Sequence, residues 1–124
     1  MAEVLVVDDS STMRRAILEA LVGEGYDCDE AENGAEGLRM ALQYPYRLVI
    51  SDLHMPVMGG LNFIAALRSR EKTRGVPVLV LTSSQELEVV KRAKTLGVSG
   101  YLLKPVDPDA LLARVVPLLP RRNS

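Results

Sequence analysis

The chain has 124 residues, 48 % of them hydrophobic and 25 % charged, with a formal net charge of -1 at pH 7. This length predicts one domain spanning residues 1–124, able to bury about two-thirds of its unfolded surface, and the apolar fraction excludes a disordered chain. One Cys and one His exclude a disulfide scaffold and a four-ligand zinc site, and near-balanced charge gives no electrostatic case for direct binding to nucleic acid or an anionic membrane.

No apolar run approaches the ~20 residues of a membrane span, and Met1 is not followed by a signal-peptide pattern, so the expected compartment is the cytosol.

Short β-branched runs alternate with segments of helical period. VLVV (4–7) is continuous, as a strand buried on both faces is. Met13, Ala16, Ile17, Ala20 and Leu21 then follow the spacing of one helical face, with Ser11 as the expected N-cap and Gly25 as the expected stop. YDCDEA (26–31) alternates more, as an edge strand does. Ala35, Leu38 and Leu42 make the second stripe, and YRLVI (46–50) the third strand. Gly59-Gly60 suits a tight loop before a third helix with Leu61, Ile64 and Ala65 inward. VPVLVL (76–81) is the fourth strand. A fourth helix carries Leu87, Val90 and Ala93, and Gly97 closes it. GYLL (100–103) is the last strand. Asp107-Pro108 is an N-cap followed by Pro at the first helical position, and Leu111, Leu112 and Val115 make the fifth stripe. Pro117 is expected to end or kink this helix near Val116, and the tail 121–124 to fray.

The order is (βα)₅, which implies an α/β fold: an open, doubly wound five-stranded parallel sheet with helices on both faces and right-handed crossovers. Ligands of such sheets bind at the carboxyl ends of the strands. Those ends carry Asp8-Asp9, Ser51-Asp52, Thr82-Ser83-Ser84 and Lys104-Pro105. Three carboxylates on one rim repel by roughly 4 kcal/mol per pair at ~4 Å and an effective dielectric near ~20. Lys104 supplies one positive charge, too few for three acids. A hard divalent ion completes the neutralisation, and an open rim with few protein oxygens suits Mg²⁺. A carboxylate beside Mg²⁺ and Lys can attack phosphorus and become an acyl phosphate. Asp52 is central by sheet order and is the expected nucleophile. Asp8 and Asp9 are expected to hold the metal, and Thr82 with the Ser83 N–H to meet phosphoryl oxygens.

At these residues the chain resembles a response-regulator receiver domain of two-component signalling. VVDDSSTMRR, DLHMPVMGG, LTSS and GYLLKP carry the resemblance, in this order over about residues 3–119, and the first stretch is most similar to chemotaxis-type single-domain receivers. The resemblance implies a flavodoxin-like fold with strand order 2-1-3-4-5. It implies phosphoryl transfer to Asp52 from a histidine kinase or phosphotransfer protein. It implies Mg²⁺ on Asp9, Asp52 and the His54 backbone carbonyl, with Asp8 acting through water. Lys104 is expected to pair with the phosphoryl group, before a cis peptide to Pro105. Thr82 and Tyr101 resemble the switch pair, and His54 and Ser84 occupy positions that tune dephosphorylation. The implied product is a signalling phosphoprotein, catalysing only its own phosphorylation and dephosphorylation. Its downstream protein partner is expected on the face of helix 4, strand 5 and helix 5, with the chain a monomer or a weak phosphorylation-dependent dimer.

Each residue alone also has a plainer reading. Asp8-Asp9 alone can cap a helix, Thr82 can be a strand-end hydroxyl, Tyr101 an edge-strand aromatic, and Lys104-Pro105 a turn. The His54 side chain reads as an exposed loop group, Cys28 as a small packed hydrophobe, and Lys91, Arg92 and Lys94 as a solvated face. Three rival functions come from different classes. An aspartate-nucleophile phosphatase needs an acid two residues after the nucleophile, where His54 stands. A flavin carrier would use Ser10-Ser11-Thr12 as a phosphate loop, but Asp8 and Asp9 repel a phosphate there. A receiver that signals without phosphorylation sits poorly with the complete acidic set.

Overall fold

A computed structural model describes residues 2–55, 57–83 and 87–120. Ser84, the Leu87 side chain and the tail 121–124 lie outside the described residues. The elements are β1 (Val4–Val7), α1 (Ser11–Gly23), β2 (Cys28–Ala31), α2 (Gly34–Gln43), β3 (Leu48–Asp52), α3 (Gly60–Ser69), β4 (Val78–Thr82), α4 (Leu87–Thr95), β5 (Gly100–Leu103) and α5 (Pro108–Leu118). All strand pairs are parallel and the sheet order is β2-β1-β3-β4-β5. The runs read as continuous, β1, β3 and β4, are buried at every position, whereas the edges β2 and β5 are only partly buried.

Alternate strand residues feed two cores, because successive side chains point to opposite faces. Val4, Val6, Ile50, Leu79 and Leu81 pack with Ile17 and Leu21 of α1 and with Leu111 and Val115 of α5. Leu5, Val7, Val49, Val78 and Val80 pack with Phe63, Ile64 and Leu67 of α3 and Val90 of α4. Phe63, Leu5, Ile50 and Leu67 are fully buried, each stabilising the fold by roughly 1.5–3 kcal/mol relative to exposure.

Four local expectations are corrected. The N-cap of α1 is Ser10, not Ser11: Ser10 is extended and its Oγ accepts from the Met13 N–H at 3.2 Å. Asp8 decides this, because its Oδ1 accepts from the Ser10 N–H at 2.8 Å and completes the turn one residue earlier. In α2 the buried side is Gly34, Gly37 and Ala41, while Ala35 is exposed and Leu38 half-buried. A Cβ at Gly37 would stand 3.0 Å from Val7 Cγ2 and 3.2 Å from Phe63 Cζ, so the helix lies too close to the sheet for larger residues there. In α3 the buried set is Gly60, Phe63, Ile64 and Leu67, with Ala65 outside. Pro117 lies inside α5, which runs on to Leu118. It removes only its own donor, in the last turn, and Leu119, 1 % exposed, anchors the chain just beyond the helix. The Leu119 N–H reaches Val115 O at 2.8 Å, and its carbonyl accepts from Tyr26 Oη at 2.7 Å.

The other punctuation stands as read. Gly25 and Gly97 have φ of 94° and 73°, the left-handed conformation that closes a helix. Asp107 caps α5, its side chain accepting from the Ala110 N–H at 3.0 Å, with Pro108 at the first helical position.

Candidate functional site

Parallel strands deliver their carboxyl ends to one rim. Val7 ends β1 and hands on to Asp8 and Asp9, Asp52 ends β3, Thr82 ends β4, and Leu103 hands on to Lys104. One carboxylate oxygen from each of Asp8, Asp9 and Asp52 lies within 4.8 Å of the others. Asp8 and Asp52 are buried, at 0 % and 2 % exposure, and Asp9 is exposed. Lys104 Nζ bonds Asp52 Oδ2 at 2.7 Å and stands 3.7 Å from Asp8 Oδ2. The Lys104–Pro105 peptide is cis.

The electrostatics follow from that packing. Burial is the largest influence on Asp8 and pushes its carboxyl pKa up. The Ser10 N–H and the Lys104 charge oppose that shift, and Asp52 and Asp9 add to it. For Lys104, burial pulls the ammonium down, but the hydrogen bond and charge of Asp52, with Asp8 and Asp9, outweigh it and hold the pKa above the ordinary value. Lys104 is therefore a permanent cation at physiological pH. Asp8 Oδ2 is fully buried without a hydrogen-bond partner among the described residues. An orphaned carboxylate oxygen within a set of three acids and one amine fits a hard divalent cation, which takes oxygen ligands and supplies the missing charge.

The close approach of α3 sets the floor of the site. A Cβ on Gly60 would come within 2.3 Å of the Asp52 carbonyl oxygen and 2.6 Å of Leu53 Cα, so only glycine lets the helix start there. The His54 N–H donates to Asp52 Oδ1 at 3.2 Å, and the His54 side chain is exposed. Both Asp52 oxygens thus have donors.

Thr82 is buried and its Oγ1 donates to the Ser83 carbonyl at 3.3 Å; Ser83 is half-buried. Val80 pairs with Tyr101 and Thr82 with Leu103, so Thr82 and Tyr101 share the sheet face that carries α4. Tyr101 points outward, 39 % exposed, with Lys94 Nζ 6.0 Å from its ring centre. Ser84 lies outside the described residues. Cys28 is half-buried, and burial followed by Glu3, Asp27 and Asp29 pushes its thiol up to about 12, which keeps it protonated and unreactive.

One residue close to the acids escaped the sequence reading. Arg14 lies off the apolar stripe of α1, yet its Nη1 donates to the Asp8 carbonyl at 2.6 Å and its Nε to Glu30 Oε1 at 2.6 Å. The available signal was its position: an arginine closing the first helical turn, beside an acidic strand end, opposes the helix dipole and needs a specific partner.

Residues 4–116 match the response regulator receiver domain. The chain is 38 % identical over 124 residues to the transcriptional regulatory protein PcoR of Escherichia coli, covering 100 % of this chain and 54 % of that protein. It is 32 % identical over 122 residues to the chemotaxis protein CheY of Pseudomonas aeruginosa, covering 98 % of each. The solved structure of the chemotaxis response regulator CheY4 of Vibrio cholerae superposes with a TM-score of 0.88 at 36 % identity, covering 96 % of this chain and 99 % of that one. The chain spans about half the length of several curated relatives it matches, 56 % for a probable transcriptional regulator of Porphyra purpurea. A doubly wound sheet in the order 2-1-3-4-5, ending in this acidic rim and matched over nearly its full length, places the chain in the family of response regulator receiver domains of two-component systems.

Proposed function

We propose that residues 1–124 form one phosphoacceptor receiver domain, in which Asp52 takes a phosphoryl group from a histidine kinase or phosphotransfer protein. The observation that carries this reading is the Asp52 carboxylate, almost wholly buried, held by Lys104 at 2.7 Å and grouped with Asp8 and Asp9. Asp8, Asp9, Asp52 and the His54 carbonyl would hold Mg²⁺, whose chemistry is to offset negative charge on the transferring phosphoryl oxygens. An Asp52 oxygen attacks phosphorus, the bond to the donor nitrogen breaks, and an acyl phosphate forms on Asp52. Lys104 turns its ammonium to the new group, and Thr82 Oγ1 with the Ser83 N–H supplies further donors. In this reading His54 and Ser84 occupy the positions that tune dephosphorylation and so set the lifetime of the product.

Phosphorylation adds close to two negative charges. Thr82 leaves the Ser83 carbonyl for a phosphoryl oxygen, and Tyr101 turns inward against α4. The face of α4, β5 and α5 then offers a changed surface to a downstream protein partner. No helix among the described residues is long and apolar enough to cross a membrane.

The test is labelling with acetyl phosphate and Mg²⁺. The wild-type chain should acquire a hydroxylamine-labile phosphoryl group, and Asp52→Asn should not. Equal labelling of Asp52→Asn would refute Asp52 as the acceptor.

A further inference from the structure

The guanidinium of Arg14 has no part in the phosphoryl chemistry proposed for Asp52, yet it is placed with care. Its side chain is 14 % exposed, an unusual depth for an arginine in the first turn of a surface helix. Both bonds that hold it are short and charge-assisted: Nε to Glu30 Oε1 next to β1, and Nη1 to the Asp8 backbone carbonyl. Glu30 lies on β2, so the rigid guanidinium fork fixes α1, β2 and the end of β1 to one another.

With the bond from Arg14, nearly every polar group of Asp8 has a partner. Its N–H donates to Ala31 O at 3.1 Å. Its carbonyl accepts from Arg14, and Oδ1 accepts from the Ser10 N–H. Only Oδ2 is left, buried in the acidic rim without a hydrogen-bond partner among the described residues. The peptide joining Asp8 to Asp9 is thereby held from outside the site while both carboxylates face into it.

We infer that Arg14 is a positioning residue for the divalent-cation site: its grip on the Asp8 carbonyl fixes the Asp8–Asp9 peptide in the orientation that presents both carboxylates to the ion. This rests on the reading of Asp8, Asp9 and Asp52 as a Mg²⁺ site. The direction of the effect separates this role from simpler ones. If Arg14 acted only through its charge, its removal would relieve repulsion and tighten Mg²⁺ binding. If it served only stability, its removal would lower the melting temperature and leave the affinity alone.

The experiment is a Mg²⁺ titration of the full chain, followed by amide NMR shifts and calorimetry, in wild type, Arg14→Ala and Arg14→Lys, with thermal unfolding measured without divalent ions. Arg14→Ala should weaken Mg²⁺ about tenfold, the lower end of the ~10–100-fold range for groups that orient metal ligands. Arg14→Lys keeps the charge but loses the fork, so it should weaken binding by a smaller factor, and it carries the test if the alanine variant does not fold. Unchanged or tighter Mg²⁺ binding in a folded variant would overturn the positioning role. A wild-type chain that binds no Mg²⁺ would instead overturn the metal site itself, and the role of Arg14 with it.

Discussion

Asp8→Asn should make the metal-free protein more stable while weakening its hold on Mg²⁺. Asp8 is fully buried, and its Oδ2 has no hydrogen-bond partner among the described residues. At the 4.8 Å limit of the acidic cluster and an effective dielectric of ~20, its repulsion from Asp52 is about 3.5 kcal/mol. Its attraction to Lys104 at 3.7 Å is about 4.5 kcal/mol on the same scale. These two nearly cancel, and Asp9, being exposed, adds little. The remaining contribution is the desolvation of a buried charge with an unused oxygen, about 1–3 kcal/mol for an unsatisfied buried group. Asparagine keeps the Oδ1 acceptor for the Ser10 N–H and turns a donor toward the remaining carboxylates. The expected gain is therefore about 1–3 kcal/mol, a rise of several degrees in melting temperature for a domain of this size.

The pH dependence has a definite sign. Asp8 has a folded-state pKa raised above its unfolded value. Its contribution to stability is thus fully present below the unfolded pKa, near ~3.9, and is lost as pH rises through the folded value. The advantage of Asp8→Asn over wild type should be largest at neutral pH and shrink on acidification. Urea unfolding of both proteins in EDTA between pH 4 and 8 checks it. A lower stability of Asp8→Asn at pH 7 would show that the buried charge is already compensated, and would refute the reasoning.

Two further substitutions probe the loop and the switch. Val57 has φ 69° and is 83 % exposed, so a β-branched residue sits in the left-handed region with no burial to offset the strain. Val57→Asn should stabilise the chain by about 1 kcal/mol in urea unfolding, since asparagine tolerates that conformation. For the switch, beryllofluoride, a phosphoryl mimic, should shift amide resonances along residues 100–104 in wild type. In Thr82→Ala those remote shifts should shrink while the shifts beside Asp52 persist, and equal remote shifts would mean that Thr82 does not carry the signal.

How much was legible in the sequence depended on whether one residue's surroundings could be inferred from its neighbours in the chain. β1, β3 and β4 are continuous apolar runs, so their burial on both faces could be read directly. The acids and Lys104 followed from the rule that parallel strands end on one rim. The inward face of α2 was misread because Gly34 and Gly37 carry no hydrophobic signal. They face inward for what they lack: a Cβ at Gly34 would meet Met58 in the loop before α3, and one at Gly37 would meet Val7 and Phe63. Two adjacent serines left the cap of α1 to be decided by the Asp8 side chain. For Arg14 the sequence offers only a hint that a partner is needed, not which one: one partner is 16 residues away and the other is a backbone carbonyl, which no residue type announces. Arg68 is the same kind of case. It donates to the carbonyls of Leu96, Arg74, Val76 and Gly97, tying the end of α3 to the end of α4.

The sheet order also bears on how a change at Asp52 could reach the edge of the domain. β3 and β5 are not neighbours; β4 lies between them. Adjacent strands are about 4.8 Å apart, so the two ends stand roughly 10 Å from one another. The Lys104 side chain nevertheless bonds Asp52, and so reaches across the carboxyl end of β4, where Thr82 sits. It is the direct side-chain tie between the rim of β3 and the segment leaving β5 among the described residues. Within the proposed function, a phosphoryl group on Asp52 must alter this tie, because the ammonium then meets phosphoryl oxygens in place of the carboxylate oxygen. Lys104 follows Leu103, whose strand carries Tyr101 on the α4 face. Under that proposal the charge change would be delivered to the strand that bears Tyr101 through one covalently continuous segment, with Thr82 beside the crossing. An edge strand is the element of a sheet that can yield to such a pull most cheaply, since it has a ladder on one side only and β5 is only partly buried.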